Sequence, residues 1–412
     1  MLDLKRIRQD FPILQEKING YPLAYLDNAA TTQKPRLVVE KMRHFYYHDN
    51  ANIHRGFHTL AERATAAYEK VRQEVARFLG AKTEEIIFVR NTTEAINLVA
   101  FTWGRKFLQS GDRILLTEME HHANIVPWLI LQQEKGFEIE YLPFDEEGEL
   151  NRHQLRQILS QGPPPKLFAF THASNVLGTI NPLRQLSALV QPYGTKILLD
   201  AAQSIAHQRF NLQRQQIDFL AFSGHKIYGP TGVGVLWVRQ EILEQLPPFL
   251  GGGGMIEEVG WENFKPLQGP GKFEAGTPSI AAVIGLGAAL EYLSQWEEED
   301  LFAWEKELTA YAYQQLQELP GLKILGPGAG KERAPLIAFS WEGFHGHDLT
   351  TVLDTFGVAV RAGHHCAMPL HRKLGLTSST RASFAFYNQK EEIDRLLEGL
   401  KKARQILAGR IR

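Results

Sequence analysis

Cysteine is almost missing from this chain: a single thiol, Cys366, stands among 412 residues. An intrachain disulfide and any two-cysteine zinc motif are therefore excluded, and a reducing compartment is favoured. Neither charge sign is in excess, with 45 Lys and Arg against 46 Asp and Glu. Nothing global in the electrostatics calls for nucleic acid or an anionic membrane, so recognition must be local. No apolar run approaches the roughly 20 residues that a membrane helix needs. The longest, from Ser279 to Leu290, is rich in Gly and Ala and suits a buried helix. The N-terminal stretch MLDLKRIRQDFPIL has early charges and no apolar core leading to a small-residue cleavage site, so it does not read as a secretory signal. A cytoplasmic location is expected. Fixed-period repeats and long low-complexity tracts are absent too. The GGGGM stretch at 251–255 lacks a strand-turn-helix context and reads as a loop rather than a nucleotide fingerprint.

What is present is apolar material enough for a large core, at 44% hydrophobic residues, in one big or two unequal domains. Short apolar runs recur through the first 290 residues: EIIFV (85–89), RILLT (113–117), FEIEYL (137–142), KLFAFT (166–171), KILLD (196–200), DFLAFS (218–223) and VGVLWV (233–238). Helix-like stretches such as TTEAINLVAFTWGRKFL separate them. This alternation predicts an α/β fold with a mainly parallel sheet covered on both faces. Beyond about residue 292 the pattern changes to long charged helices and a few short strands. We expect a large domain over 20–292 and a smaller α+β domain over 293–412, with residues 1–19 packing near the latter.

Ligands of such sheets gather at the carboxyl ends of the strands, and the polar residues there form a pattern. Lys226 follows the run DFLAFS directly, behind Ser223, Gly224 and His225. An isolated lysine past a strand is normally a surface residue. A hydroxyl, an unhindered backbone N–H and an imidazole beside it are equipment for holding a phosphate near an amine, as a pyridoxal phosphate enzyme requires. Such an enzyme also needs a carboxylate against the pyridine nitrogen. Asp200 ends the preceding strand, where a helix N-cap is the plainer alternative, and Gln203 stands three residues on. Thr92 and Thr93 open a helix after EIIFV, a place suited to an anion and to ordinary capping alike. His121 and His122 follow RILLT; adjacent residues point apart, which weakens a zinc reading and leaves stacking on a flat ring as the better use for one of them. Asn175 follows KLFAF and offers a further polar contact.

Taken in order, TTEAINLVA, MEHHANIVPW, THASNVLGT, LDAAQS, SGHKIYGPTGVG and RAGHHCAMPL resemble the SufS-like, or group II, cysteine desulfurases of aminotransferase class V. The resemblance runs from LAYLDNAATTQKP nearly to the C-terminus. It implies fold type I, pyridoxal 5′-phosphate, and removal of sulfur from L-cysteine to leave L-alanine and a protein persulfide; selenocysteine lyases, acting on L-selenocysteine, are similar. By the same resemblance Lys226 is the Schiff-base lysine, Asp200 the partner of the pyridine nitrogen, Gln203 a contact to the ring hydroxyl and His121 the stacking ring. Thr93, Ser223 and His225 become phosphate ligands, with Thr92 beside them and Thr277 presented by the neighbouring subunit of a homodimer. Arg381 would clamp the substrate carboxylate, with Asn175, Arg361 and His54 in its neighbourhood.

Cys366 needs separate weighing, because a lone cysteine is usually a small core hydrophobe. Here it lies in a polar loop, and Arg361, His364 and His365 are expected to favour its thiolate. The short GHHCAMP context implies a restrained loop, hence slow turnover alone and stimulation by a SufE-like acceptor serving iron–sulfur assembly through the SUF proteins. An aminotransferase or a kynureninase-like hydrolase would use the same lysine and aspartate without the cysteine. From a different class, fifteen histidines raise a metal hydrolase, although no HExxH accompanies them.

Overall fold

The computed structural model of the protein describes residues 2–408; Met1 and residues 409–412, the end of the expected smaller domain, lie outside the described residues. Seven strands form the main sheet: β1 (Ile86–Val89), β2 (Arg113–Thr117), β3 (Glu138–Leu142), β4 (Leu167–Thr171), β5 (Lys196–Asp200), β6 (Phe219–Ser223) and β7 (Gly234–Val238). Every residue of β4, β6 and β7 is buried, as strands covered on both faces must be. The order is β1-β7-β6-β5-β4-β2-β3. Pairing is parallel from β6 through β5, β4 and β2 to β3, whereas β7 runs antiparallel to both β6 and β1. The sheet is thus mixed, with one reversed strand. Residues 224–233, between β6 and β7, are too few for a parallel crossover, which takes about a dozen residues or more.

Helices cover the sheet. Among them α1 (Thr59–Leu79) packs on α3 (Ile280–Leu293), the buried Gly- and Ala-rich helix expected from the sequence. A Cβ at Gly287 would stand 2.5 Å from Val71, so the close approach of these helices requires a glycine there. Between them in the chain, α2 (Thr92–Val99) starts directly after β1, with the Asn91 side chain accepting the Glu94 N–H at 3.0 Å.

A second sheet is wholly antiparallel in the order β8-β9-β11-β10, from β8 (Leu322–Ile324), β9 (Leu336–Trp341), β10 (Arg361–Gly363) and β11 (Ser379–Ser383). It shares a separate apolar cluster with α4 (Glu298–Gln317), α5 (Gly346–Asp354) and α6 (Lys390–Ala408). The N-terminal segment straps across both units. Ile7, Phe11 and Leu14 enter the larger core, while Ala24 and Leu26 enter the smaller one. Ala24–Tyr25 pairs in parallel with Val358–Ala359, which leads into β10. Through this strap Asp27 arrives beside Arg361 and Arg381, which face each other across the β10–β11 register. A hairpin of Ile256–Val259 and Phe264–Pro266 follows the glycine loop. Its charged residues hide the alternation that would have marked it as strand.

Candidate active site

The carboxyl ends of β4, β5 and β6, the start of α2, the 120–124 loop and the small sheet enclose a cavity of about 240 Å³. Lys226, Asp200, Gln203, His121, Thr92, Thr93, Ser223, His225, Asn175, Arg361, Arg381 and Cys366 all line it. Two expected site residues do not. Thr277 is exposed and away from the cavity. His54 is exposed as well, with Nε2 3.0 Å from Glu69 Oε1. A larger cleft, about 1200 Å³, runs along α4 and touches this site only through Gln203.

Lys226 sits in a tight turn fixed at both ends. The Gly224 N–H donates to Val233 O and the Gly229 N–H to Gly224 O, while Tyr228 is held at φ +62°. The carbonyl before the lysine, that of His225, accepts from the Thr32 N–H, the Thr31 hydroxyl and the Lys34 ammonium at 3.0–3.1 Å. The Lys226 amine itself makes no hydrogen bond or ion pair among the described residues. Burial pushes it down to about 8, with Asp200 pulling the other way. An amine so placed holds a substantial neutral fraction near pH 7.5 and is free to react.

Asp200 is only 3% exposed; Oδ1 accepts the Ala202 N–H at 2.9 Å and closes a turn rather than capping a helix, since no helix stands between β5 and β6. Burial raises its carboxyl above the ordinary value, and Lys226 only partly offsets this. A carboxylate left so poorly compensated fits a cationic ring nitrogen. His121 Nδ1 accepts the Ala123 N–H at 3.0 Å, which leaves the proton on Nε2. Burial, then Lys226, pushes its pKa down to about 3, so the cavity is lined by a neutral flat ring. Gln203 commits Nε2 to Ala29 O, 2.7 Å away.

At the phosphate end, Ser223 Oγ accepts the Thr92 N–H at 2.8 Å and lies 2.7 Å from the Thr92 hydroxyl. Thr93 stands beside them in the first turn of α2, where backbone N–H groups and the helix dipole favour an anion. Burial keeps His225 neutral, pushed down to about 4. At the opposite end Arg381, 2% exposed, donates to Asn175 O (3.0 Å) and pairs with Asp27 (3.2 Å), while its Nε has no partner. Arg361 meets the same Asp27 at 3.2 Å. Two guanidinium groups on one carboxylate leave a positive charge unmatched, which fits a substrate carboxylate. Anion sites at both ends, a bare amine and a buried acid between them, and a neutral ring alongside fit pyridoxal phosphate with an amino acid attached.

Cys366 is exposed at the cavity mouth. It and His365 hold φ at +57° and +50°, conformations that cost non-glycine residues about 1–3 kcal/mol each and persist only where neighbours enforce them. Asn175 Nδ2 donates to His365 O (2.6 Å), the His122 N–H to Cys366 O (2.7 Å), and the Met368 N–H to His122 Nε2 (3.0 Å). One expectation is corrected here. Burial pushes His365 down to about 2, so that imidazole is neutral and brings no charge to the thiolate. Arg361 remains the permanent cation of that group.

His122 showed in the sequence only as half of a histidine pair, and three contributors carried no clear signal: Asp27, Lys34 and Glu120. The last is fully buried, accepts from the Thr117 hydroxyl, Asn124 Nδ2 and the Thr171 N–H, and is raised by burial to about 8. An acidic residue just before a histidine pair was the only visible hint. As for the histidines at large, no group of three or more His, Cys, Asp or Glu converges as a metal site among the described residues. Nor is any described helix long and apolar enough to cross a membrane.

Residues 24–396 match the aminotransferase class-V family. The chain is 48% identical to a probable cysteine desulfurase of Synechocystis sp., over 96% of this chain and 94% of that one. It is 47% identical to the cysteine desulfurase of Pectobacterium atrosepticum, over 98% and 99%. The crystal structure of the cysteine desulfurase CsdA from Escherichia coli superposes with a TM-score of 0.91 at 38% identity, covering 98% of this chain and 99% of that one. The chain belongs to the aminotransferase class-V family, alongside its cysteine desulfurases.

Proposed function

We propose that this protein is a pyridoxal-phosphate-dependent cysteine desulfurase that converts L-cysteine to L-alanine and retains the sulfur as a persulfide on Cys366. The observation that carries the reading is the convergence of Lys226, Asp200, His121, Arg381 and Cys366 on one small cavity. When bound, pyridoxal phosphate supplies a covalent anchor for the substrate amine and a sink for electrons released at its α-carbon. Lys226 is placed to hold that cofactor and then, as a free amine depressed to about 8, to take and return a proton at the substrate carbon. Asp200 would pair with the cofactor's ring nitrogen and favour its protonated form, and the neutral imidazole of His121 would shield the ring from water. Arg381, assisted by Arg361, orients the substrate through its carboxylate. The Cys366 thiolate attacks the substrate sulfur; an S–S bond forms and the Cβ–S bond breaks. Its electron pair passes to the alanyl fragment, which takes up protons and leaves as alanine.

Thr277 lies outside the cavity, and the surface exposes Phe57 and Trp261 completely; a homodimer would cover such aromatics and bring Thr277, with His54, to the partner's site. The short, tethered Cys366 turn at an open mouth supports delivery of sulfur to a dedicated SufE-like acceptor for iron–sulfur assembly in the cytoplasm. Cys366→Ala tests the central claim. The variant should keep the cofactor's absorbance and its spectral response to L-cysteine, while alanine formation falls about 10³-fold or more. Alanine production at the parent rate would end the proposal.

A further inference from the structure

Two neighbouring histidines follow β2, and only the first lines the cavity. The second spends its backbone and its ring on the loop across the gap. The His122 N–H donates to the Cys366 carbonyl at 2.7 Å, and His122 Nε2 accepts the Met368 N–H at 3.0 Å, so the two bonds straddle the turn that holds the sulfur. Acceptance at Nε2 puts the proton on Nδ1 and fixes the neutral tautomer. Asn175 holds the preceding carbonyl, that of His365. The 120–124 loop is itself anchored, because Glu120 ties Thr117 at the end of β2, Asn124 in the loop and the Thr171 N–H at the end of β4.

We propose that His122 is a positioning residue that clamps the Cys366 turn to the His121 loop, making the sulfur-accepting thiol and the ring over the cofactor one mechanical unit. The inference rests on the reading that Cys366 receives the sulfur. Without the ring's bond to Met368 the turn keeps only its ties to Asn175 and to the backbone N–H of His122, and the left-handed conformations of His365 and Cys366 relax towards ordinary φ values. The thiol then leaves the line of attack even though every group touching the cofactor is still in place. A sub-ångström tolerance is what a thiolate attack on a bound sulfur demands.

The test uses the cofactor-loaded enzyme and the fact that the chain has a single thiol, so any alkylation reports Cys366 alone. His122→Phe keeps a planar ring but offers Met368 no acceptor, whereas His122→Gln restores an amide oxygen near the position of Nε2. We expect the Phe variant to lose about tenfold in kcat with KM and cofactor absorbance unchanged. Its Cys366 should react with iodoacetamide about fivefold faster. The Gln variant should return both quantities to within about twofold of the parent. Equal alkylation rates in all three proteins would overturn the proposal, as would a Gln variant no better than Phe. Hydrogen exchange of the parent gives an answer that no unfolded variant can spoil: the Met368 amide should be protected, and exchange at the unprotected rate would equally refute the clamp. Alkylation and exchange read the clamp whether or not the enzyme turns over, while turnover in Cys366→Ala reads the underlying function.

Discussion

The turn carrying Lys226 and the turn carrying Cys366 open on the same cavity and are built in opposite ways. The lysine turn grows out of β6, deep in the main sheet, and is held by the N-terminal strap, whose Thr31, Thr32 and Lys34 all donate to one carbonyl. Its nucleophile is tuned chiefly by what is absent, since desolvation is the main cause that drives the amine down to about 8. The cysteine turn follows an edge strand of the small sheet and leaves its thiol exposed. Its nucleophile is tuned by position, through three bonds to successive parts of an unfavourable backbone. The amine is buried and its pKa is lowered by that burial; the thiol is exposed and its backbone is held by tethering.

Removing the lysine separates the two turns most sharply. Lys226→Ala should lower alanine formation by about 10³-fold or more, the scale on which loss of a proton-transferring nucleophile is felt. It should also abolish the borohydride-fixed attachment of the cofactor. Cys366 in this variant should alkylate at the parent rate, because none of its tethers comes from the lysine turn. A changed alkylation rate would show that the turns are coupled through the main sheet and would break the contrast drawn above.

Which parts were legible in the sequence follows the same division. Lys226, Asp200, His121, Thr92 and Asn175 stand where apolar runs end, and the rule that ligands gather at strand carboxyl ends locates all of them from local pattern alone. Asp27 could not be found that way. It acts on Arg381, 354 positions away, through a strap whose path the sequence does not state. His122 is hidden for a similar reason, as its partners are backbone groups of a different unit. The reversal of β7 depends on the length of a connection rather than on any residue in the strand. Thr277 and His54 lie outside this chain's cavity, and only the family resemblance, not any local pattern, had singled them out.

Arg381 belongs to both regions, because Asn175 donates to the cysteine turn and accepts from this guanidinium. Arg381→Lys retains the charge and loses the fork. We expect KM for L-cysteine to rise about 10–100-fold with kcat reduced only a few-fold. Arg361→Lys should have a smaller effect, since Arg361 is exposed where Arg381 is buried. Steady-state kinetics on both variants sharpen the comparison: a larger loss at Arg361 would move the carboxylate site towards the open mouth and the cysteine turn.

The smallest expected effect concerns stability. In the cofactor-free protein Lys226 is held near 8 against an ordinary value of 10.5, so between these pH values the unfolded chain binds more protons than the folded one. Stability contributed by this group therefore rises with pH across that window, and below pH 8 the full cost of burying the ammonium is present. Lys226→Met removes that cost. It should raise the melting temperature of the cofactor-free protein by roughly 2–4 °C at pH 7, with the advantage shrinking above pH 8 and gone past 10.5. The comparison is best made with Asp200→Asn in both partners, since Asp200 otherwise loses its favourable neighbour along with the lysine. The corresponding change at the other turn, Cys366→Ala, removes an exposed side chain and should leave the melting temperature at pH 7 within about 1 °C of the parent. A methionine at 226 that destabilises at pH 7 would mean the amine is held by favourable contacts rather than by desolvation, and the opposition between the two turns would fail at its root.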